Sequence, residues 1–185
     1  IFEEQLKKCG TDHFDFYLLH NLCEDSVPVF TDPKKGVIPY LLEQKKNGRI
    51  RHFGLSSHAK PETLKAFLDQ YDFFEFVQLQ LNYLDWEMQD AKQQYEIVTN
   101  YGVPVWVMEP CRGGRLASLT PEADKLLTDC DPGRSVASWA FRYVMSLPNV
   151  GVILSGMTQM DQAENNVETF SEGKYLTGQE QKVLN

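Results

Sequence analysis

Phe14-Asp15-Phe16-Tyr17-Leu18-Leu19-His20 is a short, almost wholly apolar run that follows a break at Gly10-Thr11-Asp12 and stops at an imidazole. A run of this length, rich in aromatics, reads as a buried parallel strand. In a barrel of parallel strands the chemistry sits at the C-terminal strand ends. A titratable histidine there is a candidate acid or electrophile. Taken alone, His20 reads at least as well as a packed residue bonded to a loop carbonyl, so its surroundings have to decide.

Upstream, residues 1–9 read as the end of a helix. Downstream, a polar loop with Pro28 and Pro33 leads to a helix over 35–47, with Ile38, Leu41 and Leu42 on one face and Asn47-Gly48 closing it. Arg51-His52-Phe53-Gly54-Leu55-Ser56 is a second strand. Pro61 opens a helix that carries Leu64, Phe67 and Leu68 on one stripe. Residues 76–81 form a third strand, 88–100 a helix, and 103–108 a fourth strand followed by Arg112-Gly113-Gly114. Residues 134–146 read as a long apolar helix, 150–154 as a fifth strand, and 158–169 and 177–185 as closing helices.

This alternation predicts a parallel sheet covered by helices. Two architectures compete, a doubly wound open sheet and a (β/α)8 TIM barrel. No glycine-rich dinucleotide fingerprint follows any strand, which weighs against the open sheet. A barrel has eight strands in about 250 residues, whereas this chain has 185 residues. The reading is therefore a TIM barrel present only as its last five βα units, a single partial domain over 1–185 without the three N-terminal strands. Ile1-Phe2-Glu3-Glu4 reads as the inside of a helix, so the expectation is a piece of a longer protein.

Composition narrows the function. A net charge of −8 argues against a nucleic-acid surface, which needs clustered Lys and Arg. No apolar run approaches the ~20 residues of a membrane span, and no basic-then-apolar leader opens the chain. Cys9, Cys23, Cys111 and Cys130 are scattered with no CxxC pair. That argues against a metal or iron–sulfur cluster built from them and fits a reducing cytoplasm. Cys111, beside Pro110 and Arg112, reads as ordinary packing rather than a reactive thiol.

Polar residues recur where the strands stop. The first ends in His20-Asn21, the second in Ser56-Ser57-His58, the third in Gln78, Gln80 and Asn82, the fourth in Met108-Glu109-Pro110, and the fifth in Ser155-Gly156. Hydrogen-bonding groups at matching ends of successive strands suit a ligand pocket. Gln78 sits inside an apolar strand, where an unmatched amide costs about 1–3 kcal/mol. A bound amide-bearing ligand or neighbouring backbone would serve it equally.

At this point the chain resembles the aldo-keto reductase family over nearly its whole length and in strand order. Asp15–His20 resembles the family's fourth-strand motif, and Gly48-Arg49-Ile50-Arg51-His52-Phe53-Gly54-Leu55-Ser56 its fifth. Val77–Asn82 is similar to the sixth, and Val105–Pro110 with Gly113-Gly114-Arg115-Leu116 to the seventh strand and its loop. Ile153–Met157 with Glu164-Asn165-Asn166 is similar to the eighth strand and its helix. The wording around Gln78–Asp85 and Met108–Arg112 most resembles a branch with a ferredoxin-like C-terminal extension. An iron–sulfur cluster is expected only in such an extension, beyond Asn185.

The resemblance implies hydride transfer from NAD(P)H to a small-molecule aldehyde or ketone inside a barrel. The family's catalytic set is Tyr, Lys, Asp and His, and His20 matches the His. By the same pattern Ser56, Ser57 and Gln78 hold the nicotinamide carboxamide. Residues 109–116, including Glu109, Arg112, Gly113 and Gly114, wrap the pyrophosphate. Ser155, Gly156, Asp161, Glu164 and Asn165 lie by the adenosine. Ser57 stands where the family usually has Asn, and Met108 where an aromatic commonly stacks on the nicotinamide. Ser155 and Asp161 occupy positions that often bear a base for the 2′-phosphate, and a carboxylate there favours NADH. The Asp, Tyr and Lys belong to the first three strands, and Tyr17, Tyr40 and Tyr83 do not match the catalytic tyrosine. The chain alone is therefore expected not to reduce carbonyls, and an incomplete barrel is expected to self-associate. Two other readings stay open. One is a metal-dependent barrel hydrolase using His20, His58 and Glu109; the other is a non-catalytic nucleotide-binding barrel.

Overall fold

The computed structural model describes residues 1–184. Five strands form one sheet: β1 (Phe14–Leu22), β2 (Ile50–Ser57), β3 (Val77–Gln80), β4 (Val105–Met108) and β5 (Val150–Ile153), in the order β1-β2-β3-β4-β5. Strands β1 and β2 run parallel, as do β4 and β5. A doubly wound sheet reverses its order at a switch point. This one never does, so these are five consecutive βα units of the (β/α)8 fold. By contacts the chain divides into two compact units, Ile1–Gln78 with Glu96–Pro104, and Leu79–Tyr95 with Val105–Asn185.

The first unit holds α1 (Phe2–Cys9), α2 (Val27–Phe30), α3 (Val37–Lys46) and α4 (Pro61–Gln70). The proline-containing loop expected after β1 contains the single-turn α2, because Ser26 Oγ accepts the Cys23 N–H at 2.8 Å and Pro28 fits a first turn. The unit packs on aromatic carbon. Phe53 is fully buried against Phe73 and Phe74, with ring centroids 6.0 and 5.3 Å away. Phe67 and Tyr71 lie 4.8 Å apart. Burial of each such ring stabilises the fold by about 1.5–3 kcal/mol. Gly54 makes room on the opposite face of β2, since a Cβ there would sit 2.3 Å from Cζ of the buried Phe76. The unit's ion pairs stay at the surface: Arg49 with Glu3 at 2.6 Å, Lys45 with Glu75 at 2.5 Å, and Arg51 with Asp15.

The second unit holds α5 (Asp85–Met88), α7 (Pro121–Cys130), α8 (Val136–Met145), α9 (Met160–Glu172) and α10 (Gly178–Leu184); α6 (Ala91–Asn100) straddles the boundary between the units. The helix expected over 88–100 is α6, which starts at Ala91; the single-turn α5 ahead of it was not expected. Asn82 Oδ1 caps the N–H groups of Leu84 and Asp85, starting α5 early, and Asp90 then takes φ 52° and separates it from α6. Helix α7 was not anticipated, although its signals are present. Thr120 is the N-cap, Pro121 opens the first turn, and Leu127 is the buried anchor. Ser135 caps α8, whose buried Trp139 packs with Leu127 and Leu176. Asn185, the end of the last expected helix, lies outside the described residues.

Beneath this core lies a buried ion pair. Arg142 donates to both carboxylate oxygens of Glu180 at 2.6 and 3.0 Å, and to the carbonyls of Lys174 and Tyr175. Burial alone would raise the Glu180 carboxyl. The hydrogen bonds from Arg142 and Thr177 outweigh burial and hold it below the ordinary carboxylate value.

Candidate functional site

In the first unit, the end of β1 is irregular. The register runs evenly from Phe14↔Ile50 to Leu19↔Leu55, then shifts before Leu22↔Ser57, so His20 and Asn21 fall in a bulge. A bulge re-aims side chains at a strand end. Asn21 adopts φ 63°, and its N–H donates to Ser56 Oγ at 2.8 Å. His20 is exposed at this strand end. Ser56 and Ser57 are each 1% exposed, and Ser57 Oγ accepts the Ala59 N–H at 3.2 Å. Both hydroxyl oxygens thus serve backbone N–H groups. Gln78 is half-buried on β3 between the fully buried Val77 and Leu79.

In the second unit a cavity of about 860 Å³ opens over the C-terminal ends of β4 and β5. Its floor includes Met108, Phe141 and Leu154, and its rim includes Glu109, Gly113, Gly114, Ser155, Gly156, Asp161 and Asn165. Arg112 and Glu164 lie outside the lining. The turn after β4 is the tightest part. Glu109 and Arg112 have φ 56° and 48°, and Gly113 and Gly114 have φ 61° and 89°. Glycine takes such angles freely, but for Glu109 and Arg112 they cost about 1–3 kcal/mol each. Something must therefore hold them. Arg112 Nε donates to the fully buried Asp85 at 2.9 Å.

The opposite rim belongs to α9. Ser135 Oγ donates to Asn165 Oδ1 at 2.8 Å, and Asn166 Nδ2 donates to Ser155 Oγ at 3.0 Å. Gln162 Oε1 accepts the N–H groups of Thr158 and Gln159 and orders the first turn. Asp161 is exposed and accepts the Gln162 N–H. No Lys or Arg is among the described residues lining the cavity. Its size lies in the range of small-molecule sites. The apolar floor suits a flat ring. A Cβ at Gly114 or Gly156 would meet nothing within 4 Å, so backbone there is open to a ligand. These features suit a small molecule with a planar ring and groups that accept backbone N–H contacts.

Sequence reasoning missed Asp85, Ser135, Gln162 and Asn166. Two signals were available: the Asn82-x-x-Asp85 spacing after a strand, and the Gln159–Gln162 capping-box spacing. The Cys111 thiol is pushed up to about 11, first by burial and then by the Glu109 charge, which makes it a poor nucleophile. Among the described residues, no group of three His, Cys, Asp or Glu side chains is placed to hold a metal ion, which withdraws support from the His20, His58, Glu109 hydrolase set. No helix among them is long and apolar enough to cross a membrane.

The Aldo/keto reductase family model matches residues 1–180. Among solved structures, an aldo-keto reductase from Bacillus halodurans in its holo form is 26% identical with a TM-score of 0.78, covering 99% of this chain and 61% of its own. An aldo/keto reductase from Klebsiella pneumoniae in complex with NADP and acetate is 18% identical with a TM-score of 0.76, covering 99% of this chain and 62% of its own. One from Brucella melitensis is 18% identical with a TM-score of 0.71, covering 99% and 64%. The two at 18% identity bear on the fold alone. This chain thus spans about three-fifths of the length of the structures it matches. No curated protein sequence matches it.

Proposed function

The chain belongs to the aldo-keto reductase family, and from that premise we propose that it is the cofactor-holding portion of an oxidoreductase that reduces aldehydes or ketones to alcohols with a nicotinamide dinucleotide. The observation that carries this reading is the cavity over the β4 and β5 ends, with its glycine-opened backbone and apolar floor. When bound, the cofactor supplies the hydride. The residues of this chain bind and orient. In the second unit the Gly113–Gly114 turn cradles the diphosphate, and Ser155, Gly156 and Asn165 border the adenosine; in the first unit Gln78 and the buried Ser56 are the residues offered to a carboxamide. His20 orients the substrate carbonyl.

Two finer readings follow. The exposed Asp161 carboxylate, with no Lys or Arg in the lining, disfavours a 2′-phosphate and selects NADH. The chain alone does not turn over carbonyls, because none of the tyrosines whose hydroxyls shift among the described residues is tuned as a proton donor. A general acid near neutral pH needs a lowered phenol pKa, and four tyrosines shift the other way. Burial raises the hydroxyls of Tyr17 and Tyr143 and pushes Tyr83 up to about 12, while the hydrogen bond to Asp69 raises Tyr101.

Fluorescence titration of the purified chain with NADH and NADPH tests both readings beside a turnover assay on an aldehyde panel. The expected outcome is NADH binding tighter than NADPH, reversal of that order in Asp161→Arg, and no turnover. Absence of binding by either dinucleotide would sink the cofactor reading. Tighter NADPH binding by the native chain removes the NADH preference, and measurable turnover removes the claim of inactivity.

A further inference from the structure

Four polar side chains of the second unit converge beneath the turn after β4, and cofactor contact gives no task to two of them. Asn82 and Asp85 are both 0% exposed, a depth such groups reach only when their lone pairs and N–H groups are matched. Asp85 Oδ2 accepts from Gln80 Nε2 at 2.8 Å and from Asn82 Nδ2 at 2.7 Å, and its Oδ1 accepts from Arg112 Nε at 2.9 Å. Asn82 Oδ1 accepts the backbone N–H groups of Leu84 and Asp85, fixing the 82–85 turn itself. Asn82 Nδ2 also donates to the Glu109 carbonyl at 3.0 Å.

The two non-glycine residues with left-handed backbone in the β4 turn are Glu109 and Arg112. Each is held by a different side chain of one turn, Glu109 by Asn82 and Arg112 by Asp85. Strained backbone persists only where its surroundings over-determine it, and a fully matched buried network does so rigidly. We infer that Asn82 and Asp85 are positioning residues that hold the Glu109–Gly114 turn in the conformation that receives a diphosphate. Paired with Asp85, Arg112 acts as a strut rather than as a free cation for phosphate. This inference rests on the dinucleotide reading above and adds to it the residues that shape the site without touching the ligand.

Calorimetric titration of the 185-residue chain with ADP and with adenosine tests the role in the native protein, Asp85→Asn, Arg112→Gln and the double variant, each first checked for cooperative thermal unfolding. Each single change is expected to weaken ADP about tenfold, the size of losing one member of a coupled polar network, and to leave adenosine unchanged. The double variant is expected to bind ADP no more weakly than the singles. Multiplication to about a hundredfold, an equal loss for adenosine, or unchanged ADP affinity in Asp85→Asn overturns the positioning role and leaves the dinucleotide reading intact. If the native chain binds neither ADP nor NADH, both fall. Arg112 is 21% exposed, so Arg112→Gln keeps the test decisive should Asp85→Asn not fold. Unchanged ADP affinity in Arg112→Gln also overturns it.

Discussion

The two units of the chain solve the same problem with different materials. The first unit fills its interior with aromatic carbon and leaves its ion pairs at the surface, with Glu3, Asp15 and Arg51 each more than half exposed. The second unit buries charge: Asp85 beneath the β4 turn, and Arg142 with Glu180 under α8, their side chains only 4% and 7% exposed. Carbon packing is tolerant, because many shapes of similar volume fill a core. Buried charge is not, because removing one partner strands the other in a medium that cannot solvate it. Buried charge therefore sits beneath the turn whose backbone must be held away from its relaxed shape.

The sharpest way to break this contrast is Glu180→Ala. It strands Arg142 in the second unit and is expected to cost about 3–5 kcal/mol, read as a shift in the urea midpoint. Asp131, 3.8 Å from Arg142, keeps the loss toward the lower end. A cost below about 1 kcal/mol would show that the pair is no more important than a surface bridge. Gly54→Ala asks the matching question of the first unit. Its Cβ collides with the Phe76 ring, and the expected cost is about 2–3 kcal/mol, because a ring in a packed core yields less than a flexible chain. Partial recovery in Gly54→Ala/Phe76→Leu would assign that cost to the ring.

The smallest effect belongs to the surface. Burial would raise the Glu75 carboxyl, but hydrogen bonds from Lys45, the Phe53 N–H and His52 overcome it and lower the group from 4.5 to about 2. The folded state thus holds this carboxylate more tightly than the unfolded chain does. Its stabilisation is complete above pH 4.5 and is lost as the pH falls toward 2. The side chain is 38% exposed, so solvent screening keeps the contribution below about 1 kcal/mol. Glu75→Gln is expected to change stability at pH 7 by no more than that and to flatten the acid limb of the first unit. An unchanged acid limb would place the low-pH sensitivity elsewhere, with Glu180 the next candidate.

Much of the fold could be read along the chain. Apolar runs such as Phe14–Leu19 and Val105–Met108 declare strands by their length and their aromatic and β-branched content, although β1, expected to be buried, leaves Phe16 53% exposed and buries only Leu19 of that run. Pro61 and the Asn47-Gly48 stop mark helix ends by local backbone chemistry. Helix α7 carried equally local signals at Thr120 and Pro121, yet its mixed composition hid it between a glycine-rich turn and the apolar α8. The β1 bulge could not be read at all, since a register shift depends on what the neighbouring strand offers, here Ser56 Oγ to the Asn21 N–H.

The same division holds for the site. Composition, strand rhythm and motif order in the sequence determined the class of barrel and singled out Gly113 and Gly156, which line the cavity of the second unit, because those properties are written in neighbouring residues. Only the tertiary structure decided that Asn82 and Asp85 grip residues 27 positions downstream, Glu109 and Arg112. A hydrogen bond between distant segments leaves no local signature, and a buried Asp with three donors looks, in sequence, like any polar residue at the start of a helix.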